Sequence, residues 1–234
     1  MKIELHPSSE RGANKLSWLD SKFSFSFANY YNPARMGFGA LRVLNDDIIA
    51  PNQGFDLHPH DNMEIITIVI EGQLEHKDSM GGHGIINNNE IQVMSAGTGI
   101  MHSEYNASTT SPLKLFQIWI ESKEHDIKPR YEQKNLLEKI PVNKIISLVS
   151  GDKDSETLYI HQDAKISMGY FDTKQEVEYS LANKHGLFIM NIAGQISLGK
   201  HKLNKRDAIA ISQTNQVKIN VQEPSKILLI EIPI

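Results

Sequence analysis

The stretch HPHDNMEIITIVIEG, residues 58–72, decides the fold of this chain. Residues 65–70 form an unbroken run of isoleucine, threonine and valine that ends at a glutamate and Gly72. Such a run is shorter than a typical helix, and β-branched side chains favour strands. We therefore predict a strand that is buried on both faces. Directly before it, His58 and His60 are spaced i and i+2, which puts both side chains on one face of an extended segment.

The rest of the chain repeats this pattern of strand and turn. Residues 113–120 and 226–232 are further apolar runs, and FSFSF at 23–27 alternates with a period of two. Turn-forming segments such as SMGGHG at 79–84 separate the runs. Short strands at this spacing indicate an all-β sandwich or barrel. The one predicted helix covers residues near 133–139, before Pro141, where it would link two halves.

An internal repeat divides the chain. VIEGQL at 69–74 resembles NIAGQI at 191–196, and EIQVMS at 90–95 resembles DAIAIS at 207–212. The copies are offset by 122 residues (194 minus 72) and by 117 residues (207 minus 90). Chance similarity between two apolar strands is the alternative, but two segments match in the same order. The repeat predicts two related domains in tandem, residues 1–135 and residues 142–234.

In two short segments, side chains that commonly bind metals are spaced i and i+2. The segments are HPH, with His58 and His60, and HSE, with His102 and Glu104. Two such strands side by side would aim three imidazoles and one carboxylate at a single point. Sequence distance within the repeat predicts the counterparts in the second half, and none is a usual metal ligand: Ser180, Ala182, Ile219 and Val221. The predicted metal site therefore belongs to the first half alone.

Composition excludes several classes of protein. The 234 residues carry a net charge of -4, which argues against a nucleic-acid partner. The chain has no cysteine, so disulfides, thiolate zinc sites and thiol nucleophiles are excluded. No segment approaches the roughly 20 apolar residues that span a bilayer, and residues 1–6 have no signal-peptide core. We expect a cytoplasmic protein without a membrane partner.

The histidine segments resemble the paired motifs of the cupin superfamily. His58, His60 and Glu64 form HxHxxxE, and residues 99–106 form GxxHxxxN. The interval from Glu64 to Gly72 is one residue longer than the usual cupin pattern.

Residues 11–120 resemble the pirin family more narrowly. The matching stretches are SWLDS at 17–21, FSFANYY at 25–31, MGF at 36–38, LRVLNDD at 41–47, GFDLHPH at 54–60, MEI at 63–65, HKDS at 76–79, AGTGIMHSEYN at 96–106 and QIWI at 117–120. The resemblance implies a bicupin, two tandem β-sandwich or jelly-roll barrel domains, with one metal in the N-terminal domain. It implies four ligands, His58, His60, His102 and Glu104, while Glu64 would orient an imidazole.

Imidazole and carboxylate ligands suit first-row transition metals. We expect one divalent ion, Fe(II) first, with zinc, nickel, manganese or copper as alternatives. Four protein ligands leave an octahedral ion two open positions. Pirin-like proteins resemble enzymes that open flavonols such as quercetin by 2,3-dioxygenation with release of carbon monoxide. The expected substrates are therefore a planar phenol and O2, with Glu104 as the catalytic base that accepts the proton of the flavonol 3-hydroxyl.

Two other functions stay open. The resemblance also implies a non-enzymatic regulatory protein that bears a metal and acts through a protein partner. A cupin isomerase or epimerase, in which the metal is dispensable, is the third hypothesis.

For the histidines and aromatic residues outside the predicted ligand set, we mostly expect structural roles. His76 and His83 flank a glycine-rich turn and are expected in surface loops. Trp18 and Trp119 are expected as core anchors rather than substrate platforms. Phe55 is near the ligands and fits either a pocket wall or packing.

Overall fold

Strands make up most of the chain in the computed structural model, which describes residues 1–153 and 156–234. The described residues contain two short 3-10 turns, Ser8–Glu10 and Leu137–Lys139, neither of which has the length to cross a membrane. The strands are β1 (Lys2–His6), β2 (Gly12–Lys15), β3 (Leu19–Phe23), β4 (Leu41–Ile49), β5 (Gly54–His60), β6 (Met63–Glu71), β7 (Gln73–Asp78), β8 (His83–Asn87), β9 (Glu90–Ser95), β10 (Ile100–Asn106), β11 (Leu113–Glu121), β12 (Arg130–Asn135), β13 (Lys144–Ser150), β14 (Leu158–Tyr159), β15 (Lys165–Phe171), β16 (Gln175–Ser180), β17 (His185–Ala193), β18 (Ile196–Leu198), β19 (His201–Leu203), β20 (Ala208–Ser212), β21 (Gln216–Val221) and β22 (Ser225–Pro233).

Each half is a sandwich of a large and a small sheet. In the first half, β12-β9-β6-β11-β4-β3-β2 packs against β5-β10-β7-β8. In the second half, β1-β20-β17-β22-β15-β13-β14 packs against β16-β21-β18-β19. The predicted all-β bicupin is confirmed, and so are the three apolar runs, which form β6, β11 and β22.

The two halves share the strand order of the small sheets and of the large sheets from β9 to β3 and from β20 to β13. The outer strands differ, since β2 pairs antiparallel with β3 whereas β14 pairs parallel with β13. The repeated segments form β6 and β17 at the centre of the large sheets, with β9 and β20 beside them. β1 pairs with the edge of β20 in the same way that β12 pairs with the edge of β9. Residues 2–6 therefore lie in the large sheet of the second half. The division into residues 1–135 and 142–234 otherwise stays a prediction.

The pairing register corrects the predicted counterparts. Leu74, which the repeat aligns with Ile196, pairs with Asn106, whereas Ile196 pairs with Val221, so His102 corresponds to Val217 rather than Ile219. His102 pairs with His58, and Val217 pairs with Tyr179, so the counterpart of His58 is Tyr179 rather than Ser180. The second half still offers no imidazole at this position.

Two local predictions are wrong. Residues 133–135 belong to β12, which pairs with β9, and only the following 3-10 turn is helical. Hydrogen bonds to a sheet edge outweigh the local helix preference here. The alternating segment FSFSF is not a strand, since β3 ends at Phe23 and the chain then turns back at Ala28, which has a φ of 50°.

The large sheets pack back to back through one apolar core. Ile66, Ile68 and Phe116 of the first half meet Phe188 and Leu228 of the second half in this core. Because strand side chains alternate, the odd-numbered neighbours on β6 and β11 face the interior of the first sandwich. That interior holds the candidate site.

Candidate metal centre

Three imidazoles converge between β5 and β10. The strands are antiparallel, and His102 pairs with His58 while His60 lies two residues further on the same face. The ring centroids are 4.4 Å apart for His58 and His102, and 4.9 Å apart for His60 and each of the other two rings. One nitrogen from each ring lies within 4.8 Å of the others.

These residues fit a divalent transition metal. Among the described residues, neither ring nitrogen of His102 has a hydrogen-bond partner although both are buried, which is costly for polar atoms, and a bound ion would satisfy one of them. His58 donates its Nδ1 proton to the backbone oxygen of Asp56 at 2.7 Å, so Nε2 is left as the ligand atom. Burial, followed by the neighbouring histidines, lowers the pKa of His102 to about 2, and burial lowers the pKa of His60 to about 4. Both rings therefore stay in the neutral form that binds metals.

Glu104 is held by a row of polar side chains on the opposite sheet. A bulge between His102 and Glu104 interrupts the pairing of β10 with β5. The carboxylate accepts hydrogen bonds from Gln117 Nε2 at 2.8 Å, and from Thr67 Oγ1 and Gln92 Nε2 at 3.3 Å each. Burial raises the pKa of Glu104, although nearby histidines and these donors lower it. A carboxyl group in this setting is suited to accept a proton.

His76 corrects the sequence analysis. It is fully buried in β7 rather than in a surface loop, and it forms a second cluster with His102 and Glu104. Its Nε2 donates a hydrogen bond to Asp78 at 3.0 Å, while Nδ1 has no partner within the described ranges 1–153 and 156–234. Leu74 and His76 are the buried residues of β7, so the His76 ring lies on the inward face of that strand. His83 is exposed, as predicted.

Glu64 is not part of the cluster. Ser95 donates to its carboxylate at 2.7 Å, and the nearest imidazole is His161 of the second half, at 3.5 Å. The prediction that Glu64 orients an imidazole of the metal site is therefore wrong. It is instead a buried carboxyl where the two halves meet.

A cavity of about 480 Å³ opens beside the cluster, and His58 and Glu104 are part of its lining. Its walls are aromatic, and they include Trp18, Phe55 and Trp119. The Trp119 ring stands edge-on to His60 with the centroids 4.7 Å apart. Both tryptophans pack against apolar clusters, as expected of core anchors, and in addition they line the cavity. A histidine cluster that can hold an ion, next to an aromatic cavity, can bind a planar organic molecule beside that ion.

Fold and site together define a bicupin with a candidate metal centre in its N-terminal half. Comparison with known proteins makes the assignment narrower. Residues 5–120 match the family model Pirin, and residues 147–232 match the model described as Quercetinase C-terminal cupin domain. The chain belongs to the pirin family.

The relatives span the whole chain. Quercetin 2,3-dioxygenase of Escherichia coli K12 is 41% identical over 231 residues, which are 99% of each chain. A pirin-like protein of Caulobacter vibrioides is 36% identical over 98% of this chain and 99% of its own. The crystal structure of the E. coli pirin YhhW in complex with nickel(II) superposes with a TM-score of 0.94 at 40% identity, covering 99% of both chains.

Proposed function

We propose that this protein is a metal-dependent dioxygenase that opens the central ring of flavonols, resembling quercetin 2,3-dioxygenase. The observation that carries the proposal is a cluster of three histidines and a buried carboxyl group that lie beside an aromatic cavity. The name of the E. coli relative supports the same reaction class.

The proposed ligands are His58, His60, His102 and Glu104, with Fe(II) as the native ion. Nickel, as in the E. coli pirin complex, is the first alternative. Four ligands leave two of six octahedral positions for exchangeable groups. His76 is not among the proposed ligands; its hydrogen bond to Asp78 fixes its ring beside Glu104.

The bound metal would lower the pKa of the flavonol 3-hydroxyl. Glu104 then accepts the hydroxyl proton, and Gln117 and Thr67 keep the carboxyl oriented while it does so. Trp119 and Phe55 flank the planar rings and exclude water. In the overall reaction both atoms of O2 enter the product, and carbon 3 of the flavonol leaves as carbon monoxide.

The test uses protein loaded with Fe(II) or nickel and mixed with quercetin in aerated buffer. Oxygen uptake and carbon monoxide release are measured together with metal content. We expect Glu104→Gln to lower kcat at least about 100-fold at a metal occupancy that still supports measurement. Glu71→Gln, an exposed change at the end of β6, serves as the matched control and keeps activity.

Equal turnover by Glu104→Gln at full metal loading would refute the role of Glu104 as base. No oxygen uptake by the fully loaded native protein would refute the dioxygenase itself and favour a regulatory protein that acts through a protein partner. Activity that survives chelation would favour an isomerase or epimerase.

A further inference from the structure

Asp47 is a buried carboxyl group that the proposed chemistry does not use. It lies on β4, is 3% exposed and lines the same cavity as Glu104. In the described part of the chain, the one hydrogen bond to its side chain comes from the hydroxyl of Ser21. Arg11 is near, but its hydrogen bond goes to Asp46 on the other face of β4. A buried carboxyl with a hydroxyl as its partner is costly and is typical of a binding site.

Asn45 adds an unused acceptor on the same face. It is 3% exposed and lines the cavity, and its Oδ1 atom has no hydrogen-bond partner among the residues that the structure describes. Asn45 pairs directly with Gln117, the residue that donates to Glu104, and Asp47 lies two positions along β4. Diagonal neighbours across two strands are about 7–8 Å apart. Asp47 is therefore further from Gln117 along the sheet than Asn45 is.

The fold itself does not require this polar pair. In the second half the equivalent partners across β13 and β15 are Ile145 and Gly169, at the register where Ser21 pairs with Asp47. The same sheet position is thus filled without a carboxyl where no ligand cluster exists. This difference between the halves favours a role of Asp47 in binding over a role in folding.

We propose that Asp47, Ser21 and Asn45 form a subsite that binds a second hydroxyl group of the substrate, on a ring position remote from the one held at the metal. This inference rests on the proposed function for the identity of the ligand as a polyhydroxylated flavonol. A hydroxyl both donates and accepts, so it satisfies Asn45 Oδ1 as a donor and pairs with Asp47 in either protonation state. Burial, with Asp46 and Glu104 contributing, raises the pKa of Asp47 to about 7, so both states occur near neutral pH.

The test compares quercetin with 3-hydroxyflavone, which keeps the 3-hydroxyl but has no other. Equilibrium binding of each to the metal-loaded protein is measured without oxygen by titration calorimetry. The native protein is expected to bind quercetin about ten-fold more tightly, the effect of one hydrogen bond to a charged or buried group. Asp47→Asn and Ser21→Ala should reduce that ratio to near one. Asp46→Asn removes the same charge from the opposite face and should keep the ratio.

A ratio near one in the native protein would overturn the subsite, and so would a ratio that Asp47→Asn and Ser21→Ala leave unchanged. Circular dichroism and metal content establish that each variant is folded and loaded before it is titrated. Aerobic turnover of 3-hydroxyflavone by the native protein tests the proposed function separately, since that reaction needs no second hydroxyl. Selective binding without turnover would leave the subsite standing while the dioxygenase proposal fails.

Discussion

Replacing Asp47 by asparagine should remove a defined part of the pH dependence of stability. Burial raises the pKa of Asp47 from 3.8 to about 7 in the folded protein. Between these values the folded state holds a proton that the unfolded state has lost. Asp47 therefore contributes stability at low pH, and this contribution is lost as pH rises through about 7.

The magnitude follows from the interval. The folded pKa near 7 lies about two pH units above pH 5, and each unit corresponds to about 1.4 kcal/mol. Between pH 5 and pH 8 the contribution of Asp47 to the free energy of unfolding of the native protein therefore falls by about 3 kcal/mol. The amide side chain of the Asp47→Asn variant does not titrate. A chain of this length has an unfolding entropy of about 0.5 kcal/mol/K, so the difference in Tm between the two proteins should change by about 5 °C over this range.

The assay is scanning calorimetry of the metal-free proteins at pH 5, 6, 7 and 8. Titrating groups remote from Asp47 contribute equally in both proteins, so their contributions cancel in the difference. Asn14→Ala, a non-titrating change in the same cavity, should follow the native curve. If the Tm difference between Asp47→Asn and the native protein is constant from pH 5 to pH 8, the folded carboxyl does not hold its proton and the reasoning fails.

Two further predictions concern the metal and the contact between the halves. His102→Ala should lower the bound metal to less than about a tenth of the native level, because the cluster loses one of its three imidazoles. The control His83→Ala changes an exposed histidine and should keep the native metal content. Metal content is measured by elemental analysis, and equal contents in the two variants would contradict the ligand assignment. Arg206→Met breaks the 2.9 Å ion pair with Asp46 across the two halves and should cost about 1–3 kcal/mol, read as a lower Tm; an unchanged Tm would mean that solvent screens this pair.

The sequence was sufficient for those parts of the site that depend on local alternation. His58 and His60 are neighbours on one strand face, so their spacing alone brought them together. His76 could not be found this way, because a single histidine reaches the cluster only through the pairing of β7 with β10. The crossing of β1 into the second half also depends on tertiary pairing, and its five residues carry no signal of their partner.

The polar row that holds Glu104 was hidden for a different reason. Thr67 is within an apolar run, and Gln92 and Gln117 are each surrounded by apolar residues, so each looks like an interruption of a strand. Their common position becomes visible only in the register, where Gln117 pairs with Thr67 and Thr67 pairs with Gln92. Such a row has no periodic signature along the chain.

The second half shows what this row is for. At the same register, Leu229 pairs with Ile189 and Ile189 pairs with Ile209, and all three are fully buried in an aliphatic core. A sandwich of this topology is thus filled by apolar side chains when it holds no carboxylate. Three buried polar groups in one row are costly without partners, and here each of them donates a hydrogen bond to Glu104. The row and the carboxylate therefore form a single polar unit. A variant such as Glu104→Leu should do more than remove one proposed metal ligand, because it should also leave the buried donors of Thr67, Gln92 and Gln117 without their partner.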